Sequence, residues 1–314
     1  MKVQITDRLV AQRDAFGETL LELVAEDERV YVLDGDLANS TKADIVALER
    51  PDRFLQMGIA EQNMVGVAAG MASCGLVPWL SSFACFLVNR DLDQLRVVVA
   101  QPNLSVKLAG AYSGLLTGKT GKTHQEVADL AVMRSMPNMV VIAPADGVET
   151  RLAMRAANAY DGPVYMRLTR DPHPVIFPED YDFEIGKGVA VREGTDVALI
   201  STGEQTVRCM EAAATLAAEG VSALVLHVPT LKPLDEAAIV AAAEKTGRVV
   251  TAEDHTIIGG LGGAVAEVLG ERCPTRIKRV GIADCFGESA ANDDLLEKYG
   301  LTSDHVAAAA RSLL

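Results

Sequence analysis

The sequence predicts two α/β domains in tandem, each built on parallel strands covered by helices. Three observations carry this. Short apolar runs alternate with helical stretches from Arg29 onward, the pattern of a sheet buried on both faces. After Arg170 the alternation stops at "DPHPVIFPEDYDFEIG", whose prolines, acids and aromatics read as a connection. Beyond it the alternation resumes. A chain of 314 residues is long for one domain and comfortable for two. The expected divisions are 1–170, a linker at 171–185, and 186–314.

In the first domain "RVYVLD" (29–34), "VPWLSSF" (77–83), "SVKLAGA" (105–111), "MVVIAP" (139–144) and "PVYMRL" (163–168) are the expected strands. Helices are expected at 41–49, 61–74, 86–101, 125–135 and 147–160. In the second, "DVALIST", "SALVLHV", "RVVTAED" and "IKRVGIA" are strands, with helices at 204–219, 235–245, 260–270 and 303–313. Neither half shows an internal repeat or a low-complexity run.

A net charge of −14 argues against nucleic acid, because binding phosphates needs a basic face. The five cysteines are an odd count without short spacing, and four lie in apolar contexts that suit small buried hydrophobes. The N-terminal stretch is amphipathic and charged, with no apolar signal core. No run approaches the roughly twenty apolar residues of a membrane span. A cytoplasmic protein is expected.

"MGIAEQNMVGVAAGM" (57–71) places one acid, Glu61, at the start of a helix so apolar that burial is expected. "LDGDLANS" (33–40) with Asn63 loosely resembles a diphosphate-and-metal motif, but Leu37 replaces a glycine and Asn63 sits in an apolar helix. No other phosphate-binding loop is present. The glycines of "TAEDHTIIGGLGGAVAEVL" (251–269) fit a tight strand-to-helix turn; whether His255 and Asp254 face a subunit interface stays open. "GLLTGKTGKTHQEVADL" (114–130) is a polar glycine-rich loop ending in His124. Thr123 and Glu126 fit a capping box, so His124 is either a solvent-facing helix-start residue or a ligand contact. Glu61, Phe83, Phe86 and His124 all fall after strands, where open α/β sheets bind ligands.

At these residues the chain resembles the transketolase family. The match runs from "QRDAFGETL" through "LDGDLANS", "MGIAEQNMVGVAAGMA" and "THQEVADLAVMRSMPNMVVIAPAD" to "EDHTIIGGLG". The resemblance implies a thiamine-diphosphate-binding-fold pyrimidine domain followed by a smaller transketolase C-terminal domain. It therefore implies the C-terminal subunit of a split transketolase, a ketol transferase working in an α2β2 assembly. Its N-terminal partner subunit would hold the diphosphate with Mg2+ or Ca2+. Glu61 corresponds to the glutamate that meets ring nitrogen N1′ of thiamine diphosphate, where a desolvated carboxyl can hold or share a proton. Phe83 and Phe86 correspond to aromatics packed on the pyrimidine, and Asp36 to an acid near the cofactor. His124 corresponds to the histidine that contacts the sugar. Arg13, Ser40 and Arg170 stand at positions that hold a sugar phosphate.

Three positions depart from the family pattern. Thr120 replaces an aspartate that reads a sugar hydroxyl, Tyr112 replaces a phosphate-side histidine, and Asn89 replaces the third pyrimidine-pocket aromatic. Lys119 and Lys122 in the same loop either bind an anion or are simply solvated. A changed sugar specificity is expected. Two other readings compete: half of a deoxyxylulose-phosphate synthase or a 2-oxo acid dehydrogenase beta subunit, and a non-catalytic partner. A buried, unpaired Glu61 speaks against the last.

Overall fold

The structure, a computed structural model, describes residues 3–314. Its strands begin with β1 (Leu9–Val10), β2 (Val30–Asp34), β3 (Phe54–Gln56), β4 (Val77–Phe83), β5 (Lys107–Ala111), β6 (Val140–Ile142), β7 (Val164–Arg167) and β8 (His173–Pro174). They continue with β9 (Val189–Arg192), β10 (Val197–Ser201), β11 (Ala223–His227), β12 (Thr230–Lys232), β13 (Arg248–Thr256) and β14 (Arg276–Ile282). One sheet has the order β12-β6-β7-β5-β4-β2-β3 and a second the order β14-β13-β10-β11-β9. All pairings among β2 to β7 are parallel, so their C-terminal ends share one edge.

The α/β expectation holds, with two antiparallel edges added: β12 beside β6, and β9 beside β11. Both are too short to give a readable alternation. β4 is buried at all seven positions, as a central strand covered on both faces must be. On one face Phe16, Leu20 and Leu23 of helix Gln12–Glu26 pack against Val32 and Trp79. On the other, Met64, Val65 and Ala68 of helix Glu61–Ser73 pack with Leu95 and Val99 on Leu33, Leu80 and Leu108. That core continues to Ile200 and Leu226 of the second sheet and to Ile239 of the helix Glu236–Thr246.

Three expectations need correction. The helix opening at Glu61 is buried along one stripe only; Gln62, Asn63, Gly66, Val67 and Gly70 are exposed, because the sheet covers a single face. The helix expected at 125–135 starts at Asp129. Its capping box does not form, since Glu126 bridges back to Ser113 and accepts from Ala128 N at 2.7 Å. Of the cysteines only Cys209 is fully buried, and Cys74 and Cys285 are exposed; an apolar neighbourhood in sequence is not one in space.

The glycine turn after β13 is as tight as expected. Glu253 caps the following helix, accepting from Leu261 N at 2.7 Å and Gly262 N at 2.8 Å. No described helix is long and apolar enough to cross a membrane.

Candidate active site

From β2 the chain steps to β3 on one side, then returns to β4 on the other. Such a reversal opens a crevice beyond the strand ends. Glu61, first residue of the helix after β3, puts its carboxyl there. It is 2% exposed, with Ser82 Oγ 3.5 Å from Oε1. Gly35 lines the crevice: a Cβ at that position would stand 3.2 Å from Ser82 Oγ. Beside it Asp34, buried at the end of β2, accepts from Leu37 N at 2.6 Å and Thr41 Oγ1 at 3.2 Å. Burial pushes its carboxyl up to about 6. Asp34 thus ties down the loop carrying Asp36 and Ser40, a role the sequence reading missed. Asp36 itself is exposed, its N–H donating to Gln56 Oε1 at 3.0 Å.

Phe83 closes β4 and Phe86 follows within the next helical turn. Their rings lie 5.9 Å apart and 25° from parallel. His124 stands edge-on to both, at 5.9 Å and 5.5 Å. The structure therefore brings Glu61, both phenylalanines and His124 to one slot.

Glu61 is not unpaired, which corrects the expectation from sequence. Arg90 Nη1 lies 3.0 Å from each carboxylate oxygen. The guanidinium also covers the Phe86 ring, with Cζ 4.0 Å from its centroid. The signal available in sequence was spacing: Arg90 follows Phe86 by four residues, so both occupy one helix face. Next to it Asp91 is fully buried, and neither carboxylate oxygen has a hydrogen-bond partner. Burial first, and the charge of Glu61 second, push Asp91 up to about 8. Asn89 turns its amide to Glu126 Oε2 at 2.6 Å and Cys85 O at 3.0 Å, bracing the loop after β5.

Tyr112, just beyond β5, has φ +57. Its ring lies 4.0 Å from that of Phe83 and 21° from parallel. Arg13 Nη1 donates to Tyr112 Oη at 2.9 Å and to Ser40 O at 3.3 Å. Arg170 Cζ sits 5.4 Å from the same ring. The Nε atoms of Arg13 and Arg170 are buried without partners. Two guanidinium groups with unspent donors, converging on one tyrosine, suit a bound anion. Thr120 lies at the surface with its hydroxyl 2.5 Å from Thr117 Oγ1, and Lys119 and Lys122 are exposed.

The base of this loop is bolted to both sheets. Gly114 has φ +73, and a Cβ there would meet Asp254 Oδ2 at 1.9 Å. Asp254 accepts from Leu115 N at 3.0 Å. Buried Arg167 donates to Asp129 Oδ2 at 2.9 Å and Asp254 O at 2.6 Å, and Tyr165 Oη donates to Asp129 Oδ2 at 2.7 Å. Asp254 and His255 are both buried within the chain, which answers the question of where they face.

The transketolase pyrimidine binding domain model matches residues 9–174, and the transketolase C-terminal domain model matches residues 186–306. The chain belongs to the transketolase family. Among its relatives is a 6-deoxy-6-sulfo-D-fructose transketolase subunit of Clostridium sp. (strain MSTE9), 42% identical over 96% of this chain and 94% of that protein. A putative transketolase C-terminal section of Methanocaldococcus jannaschii is 42% identical over 97% and 96%. A solved split-gene transketolase, described as an inactive beta4 tetramer, aligns with a TM-score of 0.91 at 46% identity, covering 97% and 98% of the two chains. Transketolases use thiamine diphosphate, and the crevice at Glu61 lies in the matched pyrimidine-binding domain. Among the described residues no three His, Cys, Asp or Glu side chains cluster as metal ligands.

Proposed function

We propose that this chain is the ring-binding subunit of a split transketolase that moves a two-carbon ketol unit from an anionic ketose to an aldose. The observation that carries the proposal is the buried Glu61 carboxylate at the reversal of the sheet, linked through the Arg90 guanidinium to the flat face of Phe86. That pairing suits a planar heteroaromatic ring with polar edge atoms, so the residues present fit the cofactor's aminopyrimidine. When bound, thiamine diphosphate supplies the nucleophilic carbon and the electron sink.

The chain's own residues then have distinct tasks. Glu61 holds a proton at N1′, Phe83 and Phe86 pack the ring and keep water from it, and His124 faces the sugar from the slot's rim. Arg13, Arg170 and Tyr112, with Ser40, hold the anionic end. Asp36, Asn89 and Thr120 act at the margins, as part of the cofactor interface or as determinants of sugar choice. The relative acting on a sulfonated fructose supports an anionic and non-standard ketose.

A separate N-terminal subunit would hold the diphosphate and its Mg2+ or Ca2+, in an α2β2 assembly within the cytoplasm. An exposed apolar strip along Leu55, Ile59, Val67, Leu92 and Val97 supports such a partner. Gly66 and Gly70, with open space above them, let another backbone approach closely. We assign residues 1–170 to the ring-binding unit, 171–185 to the linker and 186–314 to the C-terminal unit.

The test is reconstitution. The chain alone is expected to be inactive, and the pair active with sugar phosphates or sulfonates. Glu61→Ala should abolish ketol transfer while co-purification persists. Full turnover by Glu61→Ala would refute the assignment.

A further inference from the structure

We propose that Arg90 is a built-in occupant of the cofactor-ring site, which must leave before the aminopyrimidine can enter. This rests on the reading of Glu61 and Phe86 given above and adds a step to it.

Arg90 satisfies two groups at once. Its Nη1 meets both oxygens of Glu61 at 3.0 Å, and its guanidinium lies over Phe86 at 4.0 Å. A guanidinium is planar and delocalised, with hydrogens in its plane and an electron-poor face. An aminopyrimidine held by Glu61 and packed on Phe86 would ask for the same two things, a carboxylate at its edge and a ring beneath it. On this proposal the ring takes the Phe86 face and the Glu61 oxygens that Arg90 now covers, so the two sets of contacts exclude each other.

Burial shows which partner moves. The Glu61 side chain is 2% exposed, whereas that of Arg90 is 43% exposed. Arg90 ends its helix, and its carbonyl is anchored by Gln62 Nε2 at 2.8 Å. Its backbone is therefore fixed while its long side chain has solvent to swing into. Glu61 has no such exit.

The occupant also has a purpose in the empty subunit. Without it, Glu61 would lie uncompensated in an apolar crevice next to the unpartnered carboxyl of Asp91. Leaving a buried charge unpaired is costly. Arg90 removes that cost until the cofactor takes over, and the same contact lowers apparent affinity by the fraction of molecules with the site open.

The experiment measures thiamine diphosphate binding, not turnover. Wild-type, Arg90→Met and Arg90→Lys chains are each assembled with the diphosphate-binding subunit and titrated calorimetrically with thiamine diphosphate in Mg2+. Inorganic diphosphate is titrated in parallel, since it makes no demand on the ring slot. Arg90→Met should tighten thiamine diphosphate binding by about tenfold, the gain expected if the closed arrangement holds nine molecules in ten. Arg90→Lys, which keeps the charge but loses the flat face, should fall between, and diphosphate binding should not tighten with either variant. Simple removal of a positive charge would instead weaken both anions. Unchanged or weaker thiamine diphosphate binding by Arg90→Met overturns the proposal, as does equal tightening of diphosphate. If the wild-type pair binds diphosphate but not thiamine diphosphate, the ring-site reading itself fails, a different result from either.

Discussion

Tyr112 lies flat on Phe83, with 4.0 Å between ring centroids, and its hydroxyl accepts a hydrogen from Arg13 Nη1 at 2.9 Å. One side chain thus joins the aromatic wall of the slot to the guanidinium pair behind it. Its positive φ is unusual for so bulky a residue, and the stack and hydrogen bond together hold it there.

Tyr112→Phe keeps the stack and removes the acceptor. A hydrogen bond of this kind contributes about 1 kcal/mol, so KM for an anionic ketose should rise roughly fivefold. Steady-state kinetics of the assembled enzyme checks this, with kcat expected within about twofold. An equal fall in kcat would mean that the hydroxyl acts in the reaction and not only in holding Arg13.

Asp91 predicts a pH dependence of stability. Burial pushes its carboxyl up from the ordinary 3.8 to about 8, so the folded state binds the extra proton between these values. Its contribution to stability is complete below about pH 4 and is lost as pH rises through about 8. Asp91→Asn should flatten that decline and stabilise the chain at pH 8 by about 1–3 kcal/mol, less than the full shift because an amide also lacks partners there. Urea unfolding at pH 5 and pH 8 reads both effects; parallel curves for the two proteins would show that Asp91 finds a partner in solution.

The Arg167–Asp129 pair is buried on both sides, with side chains 6% and 0% exposed. Arg167→Met leaves the Asp254 carbonyl without its donor and Asp129 with Tyr165 Oη alone. Removing one member of a buried pair costs about 3–5 kcal/mol, and a lowered denaturation midpoint is the expected result. Because the same network seats the loop ending in His124, sugar KM should rise in whatever fraction stays folded.

Val67 and Gly70 project from the outer face of the Glu61 helix, away from the core. Val67→Glu and Gly70→Arg should leave the melting temperature of the isolated chain within a few degrees of wild type. Both should abolish co-purification with the diphosphate-binding subunit. Retained assembly would move the contact surface elsewhere.

Much of this was legible in sequence because strand burial writes itself as apolar runs; β4, with seven buried residues, is the clearest case. Glu61, Phe83, Phe86 and His124 could be gathered because all follow strands that point the same way. The four-residue spacing puts Arg90 on the Phe86 side of its helix but names no partner for it, since an arginine after an apolar run usually marks a helix turning to solvent. Only the placement of Glu61 across the crevice gives it a partner. The false capping box at Thr123 has a related cause: Glu126 is recruited by Asn89, 37 residues earlier, and a local motif yields to a distant contact.

Strand β12 has a consequence for how the molecule is made. It comes from the C-terminal half yet closes the open side of β6 in the N-terminal sheet. On the ribosome, β6 and β7 are complete by residue 167, but the strand that covers β6 arrives only at residues 230–232. Val140, Val141 and Ile142, all buried in the finished protein, wait through that interval as a bare β edge able to pair with a neighbouring nascent chain. A truncation ending in the 171–185 segment would make that waiting state permanent, because the residues that cover β6 would never be made.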